Sequence, residues 1–152
     1  MPETSEALDG RVRLTVFERL LETGQAPSFE EAARALGVDP EKIAVSYQRL
    51  AGQHRLVLKP GTTEILMANP LSAVPTAFTV EVRGRSHFGN CIWDSLGVIA
   101  MLGNSGRVLT SCGDGCGEAM TVRIEHGVPV DGRGIIHFQV PRARWWDDIV
   151  FT

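Results

Sequence analysis

The chain has 152 residues, of which 43% are hydrophobic and 22% charged, so it is long enough for one substantial hydrophobic core or two small ones. Its net charge of −3 is spread over two slightly acidic halves, with 8 basic and 10 acidic residues up to Pro75 and 7 and 8 beyond it, so no nucleic-acid partner is expected. No apolar run approaches the roughly 20 residues that span a bilayer, and the polar first ten residues lack a signal-peptide pattern, so we expect a cytoplasmic protein with no membrane partner.

A first helix is predicted in the N-terminal part by apolar residues that recur every three or four positions. Two overlapping series mark it: Val12, Val16 and Leu20, and Leu14, Phe17 and Leu21. Gly24 follows directly, and glycine is the usual residue after the last helical turn. We therefore expect this helix to end at Gly24.

Two further helices are indicated by their N-terminal caps. Ser28 is followed three residues later by Glu31, which is the capping-box pattern, and the helix that it opens should end at Gly37. Asp39 followed by Pro40 places a capping side chain before a proline at the first helical position. The sequence thus predicts three consecutive helices within the first 51 residues.

A hairpin is predicted after the third helix. The short apolar runs Arg55–Leu58 and Glu64–Met67 flank a Pro-Gly turn, Lys59–Thr62. Three helices followed by a hairpin are typical of a winged helix, and Asn69–Pro75, with two prolines among small residues, has the composition of a linker. We therefore expect a winged-helix-like N-terminal domain over residues 1–75.

The second half, residues 76–152, predicts an α+β domain with a mixed or antiparallel sheet and one central helix. Ala77–Arg83 alternates between apolar and polar residues, as a half-buried strand does, and a turn through Arg85–Asn90 leads into a helix over Cys91–Leu102. Later strands are expected at Arg107–Ser111, Ala119–Glu125 and Ile135–Val140, before a final apolar-aromatic stretch, Trp145–Phe151.

The strongest chemical signal is the segment Asn90-Cys91-Ile92-Trp93-Asp94. With Asn90 as N-cap, Cys91 would lie in the first helical turn, where free N–H groups and the helix dipole lower the pKa of a thiol. Asp94, three residues on, would project from the same face. The segment therefore predicts a nucleophilic sulfur beside a proton-carrying carboxyl. The structural alternative is a buried cysteine, with an aspartate that only complements the helix dipole.

The other two cysteines, Cys112 and Cys116, bracket a glycine-rich turn around Asp114. Three cysteines without a secretory signal do not form a disulfide framework, so reduced thiols are expected. The pair offers half of a zinc site, or else a tight turn without a ligand. A zinc site would need two histidines, and no two of them form a close pair along the sequence: His54, His87, His126 and His137.

The segment Asn90–Asp94, followed by an apolar helix that ends at Met101-Leu102-Gly103, resembles the active-site segment of the organomercurial (alkylmercury) lyase family. Val108–Cys112 is similar to the next strand of that family, and Val140–Thr152 is similar to a later strand. The resemblance covers nearly the whole chain. It implies a fold with a winged-helix-like part before the α+β domain, and a family domain that extends past Thr152.

The resemblance also implies a mechanism. Cys91 matches the thiol that binds the mercury of an organomercurial, and Asp94 matches the group that protonates the departing carbon. Mercury is then substrate and product, no constitutive metal or cofactor is expected, and cellular thiols or a mercuric reductase would accept the Hg²⁺. The family's second catalytic cysteine would fall near Trp146–Thr152, where this chain has none, so Cys112 or Cys116 is the candidate for a second thiol. Otherwise Cys112 matches a structural cysteine.

A different class of function is a metal- or thiol-responsive regulator, in which the N-terminal domain would read DNA, or a mercury-binding relative that lacks the second thiol. The recognition helix of such a regulator would be the third helix, Asp39–Ala51. It offers only Lys42 and Arg49 against two acidic residues, a poor set for phosphate contacts. The charge pattern therefore favours the lyase.

Overall fold

The computed structural model describes residues 3–130 and 134–150. The chain divides into two compact units, Met1–Pro75 and Thr76–Thr152. Within the described residues, no helix is both long and apolar enough to cross a membrane.

The first unit contains three helices: α1 (Ser5–Thr23), α2 (Phe29–Leu36) and α3 (Pro40–Gly52). Helix α1 begins well before its first predicted residue, because Thr4 caps it by accepting a hydrogen bond from the N–H of Ala7 at 3.2 Å. Of the two predicted apolar series on α1, the one from Val12 to Leu20 is buried, whereas Leu14 of the other is 59% exposed. The helix prediction is confirmed, but the helix begins earlier than the sequence predicted.

The predicted caps of α2 and α3 are confirmed. The Ser28 hydroxyl accepts the N–H of Glu31 at 3.2 Å, and the Glu31 carboxylate accepts the N–H of Ser28 at 2.9 Å. The Asp39 carboxylate caps α3 by accepting the N–H of Glu41 at 2.8 Å, with Pro40 at the start of the helix. These local contacts depend on a few neighbouring residues, which is why the sequence predicts them well.

A buried carboxylate joins α1 to α3. Asp9 is 7% exposed and accepts hydrogen bonds from Ser46 at 2.5 Å and from the Arg49 guanidinium at 2.6 and 3.0 Å. Burial alone would raise the pKa of Asp9, but the hydrogen bonds from Arg49 and Ser46 and the charge of Arg49 outweigh it and lower the pKa. Asp9 is therefore held as a paired carboxylate.

Three short strands complete the first unit as an antiparallel sheet of order β1-β2-β3. They are β1 (Val57–Leu58), β2 (Ile65–Ala68) and β3 (Leu71–Ser72). The predicted hairpin is confirmed by the pairing of β1 with β2. The prediction of a linker over Asn69–Pro75 is wrong, because β3 lies within it, and its two residues are at most 4% exposed. A strand of two residues is too short to show a period of its own.

The second unit is built on a five-stranded antiparallel sheet of order β5-β4-β6-β7-β8, with one helix, α4 (Ile92–Leu102), packed against β4 and β6. The strands are β4 (Thr79–Val82), β5 (Arg85–Phe88), β6 (Gly106–Ser111), β7 (Ala119–Glu125) and β8 (Val128–Pro129). Val98 and Ile99 of α4 and Val80 and Val108 of the sheet are at most 1% exposed and form the core. The predicted α+β architecture is therefore confirmed.

Two predictions for this unit are wrong at its edges. The turn expected over Arg85–Asn90 is mostly strand β5, and the chain reverses earlier, at Arg83 and Gly84, which have φ of 52° and 73°. Strand β5 forms the edge of the sheet and begins with two exposed polar residues, so it lacks the apolar alternation of an inner strand. The strand expected at Ile135–Val140 does not form, and Ile135 is 94% exposed.

The C-terminal aromatic stretch also differs from the prediction. The resemblance implied a strand over Val140–Thr152, whereas Arg142–Asp147 forms a 3₁₀ helix. The indole N–H of Trp145 donates to the carbonyl of Val140 at 2.8 Å, which folds this segment back on itself. Phe151 and Thr152 lie outside the described residues.

Candidate active site

Gly89 allows the end of β5 to lie close to the first turn of α4. Its N–H donates to the carbonyl of Phe78 at 3.0 Å, and its own carbonyl accepts the Thr76 hydroxyl at 2.6 Å. A Cβ atom at Gly89 would lie 2.9 Å from both the Cα and the backbone N of Ser95, and closer still to its hydroxyl. Only glycine therefore allows the end of β5 to lie against the first turn of α4.

Cys91 is the N-cap of α4. Its backbone is extended, with φ −145° and ψ −179°, and its Sγ accepts the N–H of Asp94 at 3.5 Å. Its carbonyl accepts both the N–H of Ser95 at 2.9 Å and the Ser95 hydroxyl at 2.8 Å. The prediction that Asn90 caps this helix is wrong: Asn90 instead donates its side-chain amide to Oδ2 of Asp94 at 3.1 Å.

The predicted lowering of the Cys91 pKa is also wrong. Burial raises the pKa of this half-buried thiol, and the nearby carboxylate of Asp94 adds to the rise. The N–H groups of Asp94 and Trp93 act in the opposite direction but are outweighed. At neutral pH, Cys91 therefore carries its proton, as a thiol whose Sγ already receives a backbone hydrogen bond.

Asp94 is half-buried, and its environment settles a conflict that the sequence leaves open. A helix N-terminus lowers the pKa of a carboxyl, whereas burial raises it. Burial is the larger effect and the pKa of Asp94 is raised, although hydrogen bonds from Asn90 and from the Cys91 thiol oppose the rise. The thiol and the carboxyl thus each affect the pKa of the other, and burial raises both pKa values.

This arrangement allows a proton to move between the two side chains. A cation that binds Sγ would displace the thiol proton, and the Asp94 carboxylate is the adjacent acceptor. The Asn90 amide stabilises the carboxylate that waits for this proton. The site has the groups needed for binding a soft metal and for general acid–base chemistry.

An aromatic cluster includes Trp93, which stands between Cys91 and Asp94 in the sequence. The ring of Trp93, which is 55% exposed, meets Phe138 edge-on with 6.1 Å between centroids, and Phe138 lies 5.3 Å from Trp145. Together with Gln139, Val140, Pro141 and Arg142, these rings line a cavity of about 700 Å³. Trp93 and Trp145 are 52 residues apart in the sequence, so local spacing could not predict that both pack against Phe138.

A second group of ligating side chains lies in the loop between β6 and β7. The sulfur atoms of Cys112 and Cys116 and a carboxylate oxygen of Asp114 all lie within 4.8 Å of one another. Oδ1 of Asp114 also accepts the N–H of Cys116 at 2.9 Å. Hydrogen bonds from the Cys116 thiol and N–H, and from the Cys112 thiol, lower the pKa of Asp114 to about 2.

This group changes the interpretation of the two thiols. Among residues 3–130 and 134–150, it is the one set of three or more ligating side chains close enough to hold an ion. Its third member is Asp114, so the four histidines weighed for a zinc site are not part of it. Cys91 and Asp94 are not part of it either. The structure therefore groups Cys112 with Cys116 and Asp114.

Comparison with known proteins agrees with the resemblance in the sequence. No curated protein matches the chain. A crystal structure of the mercury-bound form of MerB2 is similar to it, with a TM-score of 0.62 and 21% identity over 86% of this chain and 60% of that one. This chain thus spans less than two thirds of that solved chain. The family model described as MerB, alkylmercury lyase, matches residues 71–152, more than half of the sequence, and the chain belongs to the alkylmercury lyase family.

Proposed function

We propose that this protein is an organomercurial lyase, which cleaves a carbon–mercury bond by protonolysis. Cys91 would bind the mercury, and Asp94 would deliver the proton to the departing carbon. The observation that carries this proposal is the placement of both side chains at the start of α4, where Sγ of Cys91 accepts the N–H of Asp94 at 3.5 Å. Membership of the alkylmercury lyase family supports the same chemistry.

The first step is metal binding with proton transfer. The organomercurial cation R–Hg⁺ meets the Cys91 thiol, a sulfur–mercury bond forms, and the thiol proton passes to the Asp94 carboxylate. Metal coordination deprotonates a thiol outright, so the raised pKa of Cys91 does not prevent this step. Burial raises the pKa of Asp94, which favours retention of the proton that it receives.

The second step breaks the carbon–mercury bond. A second thiolate adds to the mercury, Asp94 gives its proton to the carbon, and the products are R–H and a mercuric ion held by two sulfurs. The electron pair of the carbon–mercury bond becomes that of the new carbon–hydrogen bond, and no oxidant is needed. Cys112 and Cys116 lie close to each other and to Asp114, in a group that does not include Cys91. We therefore propose that the second sulfur comes from a cellular thiol. A cellular thiol or a mercuric reductase would then accept the Hg²⁺.

The organic group would lie against the aromatic cavity. Trp93 stands between the two reactive residues in sequence, and its exposed ring forms one wall of the cavity. An aryl group gains more than a methyl group from aromatic contacts. We therefore expect Trp93→Ala to raise KM for phenylmercury more than for methylmercury, which steady-state rates with the two substrates would measure. An equal rise for both would exclude this role for Trp93.

For the N-terminal unit we propose a winged-helix-like scaffold in a cytoplasmic enzyme rather than a DNA-binding module. Helix α3 would be the recognition helix of a regulator. Its Arg49 is held by Asp9 through contacts of 2.6 and 3.0 Å, so it is poorly available for phosphate. A gel-shift assay at low salt tests this: binding to DNA that weakens with salt would favour the regulator.

The test of the lyase is benzene release from phenylmercury in the presence of an excess of small thiol. We expect turnover by the wild-type protein, no release above background by Cys91→Ser, and a rate lower by about 10²- to 10⁴-fold for Asp94→Asn, the range typical of general acid catalysis. Cys116→Ser serves as the matched control: it removes a thiol other than Cys91, and because the excess small thiol takes up the Hg²⁺, benzene release should continue. Equal rates for wild type and Cys91→Ser would contradict the proposal.

A further inference from the structure

We infer that Cys112, Asp114 and Cys116 form a second binding site, a chelate for a soft divalent cation such as Hg²⁺ or Cd²⁺. The ligating atoms of the three side chains lie within 4.8 Å of one another. Two thiolates bound to one metal at about 2.3 Å would be about 3.8 Å apart in a tetrahedral site and about 4.6 Å apart in a linear one. The observed grouping suits both geometries.

Backbone contacts and turns of the loop bring the three side chains together. The N–H of Cys112 donates to the carbonyl of Glu118 at 2.8 Å, which closes the loop directly beyond the last β6–β7 pair, Ser111 with Ala119. Gly115, with φ of 87°, allows the chain to turn between the two thiols, and Gly117, with φ of 74°, allows a further turn directly after Cys116. The Asp114 carboxylate, which accepts the N–H of Cys116, completes a preformed set of ligands. Preformed ligands lose little conformational freedom when they bind.

The composition of the site selects the class of cation. Two sulfur ligands favour soft, thiophilic metals, and one carboxylate adds a single oxygen. Cys116 and Asp114 are exposed and Cys112 is half-buried, so the site is open to solvent. Binding would form two metal–sulfur bonds and release the two thiol protons to solvent, with no change of oxidation state.

The place of this chelate in the sheet suggests its role. Thr79 of β4 pairs with Phe88 on one side and with Leu109 on the other, so β5 and β6 both end at the same end of the sheet. The chain continues from Phe88 to Cys91 and from Leu109 to Cys112. Because neighbouring strands are about 4.8 Å apart, Phe88 and Leu109 are separated by about 10 Å. On the proposed lyase function, the chelate would take the mercuric ion from Cys91 and hold it until a cellular thiol or a mercuric reductase accepts it.

The binding test does not depend on the lyase activity. In a Cys91→Ser protein kept reduced by a phosphine, Cys112 and Cys116 are the remaining thiols. Titration with Cd²⁺, followed by the ultraviolet absorption of the cadmium–thiolate bond, should give one ion per chain. Asp114→Asn should weaken binding roughly 10- to 100-fold, and Cys116→Ser should weaken it further.

The matched control is Gly113→Ala, which alters the same loop but keeps every ligand, and whose new Cβ has no atom within 4 Å. It should bind Cd²⁺ as the Cys91→Ser parent does. Absence of a stoichiometric cadmium signal in the parent, or an unchanged signal in Cys116→Ser, would overturn the inferred site. Benzene release without cadmium binding would retain the lyase and reject the chelate. Cadmium binding without benzene release would retain the chelate and reject the lyase.

Discussion

The replacement of Gly89 by alanine tests how closely the end of β5 must approach α4. The new Cβ would lie 2.9 Å from the Cα and backbone N of Ser95, whereas ordinary contacts between carbon atoms are about 3.5–4.0 Å. The strand end and the helix start must therefore separate by about 0.6 Å or more. Both elements are fixed by backbone hydrogen bonds, so we expect a loss of about 1–3 kcal/mol in the free energy of unfolding, as in other overpacked sites.

Gly89 lies in the second unit, Thr76–Thr152. In a domain of that size, each kcal/mol of lost stability lowers Tm by about 4–8 °C, which calorimetry or circular dichroism would measure. Gly113→Ala, with open space around its Cβ, is the control and should change stability by no more than about 0.5 kcal/mol. Adding Ser95→Ala should rescue Gly89→Ala only in part, because the Cα and N of residue 95 remain in place. A Tm of Gly89→Ala within one or two degrees, roughly the error of such comparisons, would refute the reasoning.

Three further predictions concern ionisable groups. Asn90→Ala removes a hydrogen bond that holds down the pKa of Asp94, so the acidic limb of the pH–rate profile for benzene release should move to higher pH; an unmoved limb would contradict this. Burial raises the folded-state pKa of Asp94, so ionisation of this carboxyl costs stability as the pH rises through that value. Asp94→Asn should therefore have a higher Tm than wild type at pH 7, and the difference should vanish in acid. The pKa of Asp9 is instead lowered, so its stabilisation is present above the ordinary carboxyl value of about 3.9 and is lost as the pH falls through the folded-state pKa. Asp9→Ala should therefore cost about 1.5–3 kcal/mol in urea unfolding at neutral pH, and less in acid; a constant cost would count against the pairing with Arg49.

The parts of the fold that the sequence predicts are those set by neighbouring residues. The caps at Ser28 and Asp39 and the strand around Val80 depend on side chains a few positions apart, and they form as expected. Strand β3 and edge strand β5 depend on pairing with strands elsewhere in the chain. Their own residues are too few or too polar to show that pairing, so the sequence assigns them to a linker and a turn.

The site shows the same division. The spacing of Cys91 and Asp94 places both at the start of one helix, as expected from local geometry. The sign of the Cys91 pKa shift could not be predicted, because it depends on how deeply the sheet and helix bury the thiol. The contact of Trp93 with Phe138 and the grouping of Asp114 with two thiols require the folded chain. Their only signal in the sequence is the presence of suitable residue types.

The most direct test of proton delivery by Asp94 is a single-turnover experiment. The thiol acceptor is added only after phenylmercury has bound. The protein is mixed with an equal amount of phenylmercury, then with excess thiol, and intact-protein mass spectrometry follows what stays bound. With Cys112→Ser and Cys116→Ser in the background, we expect Asp94→Asn to accumulate a phenylmercury adduct on Cys91, whereas the protein that retains Asp94 releases benzene once thiol is added. Benzene release at the same rate with asparagine at position 94 would contradict the claim that Asp94 supplies the proton.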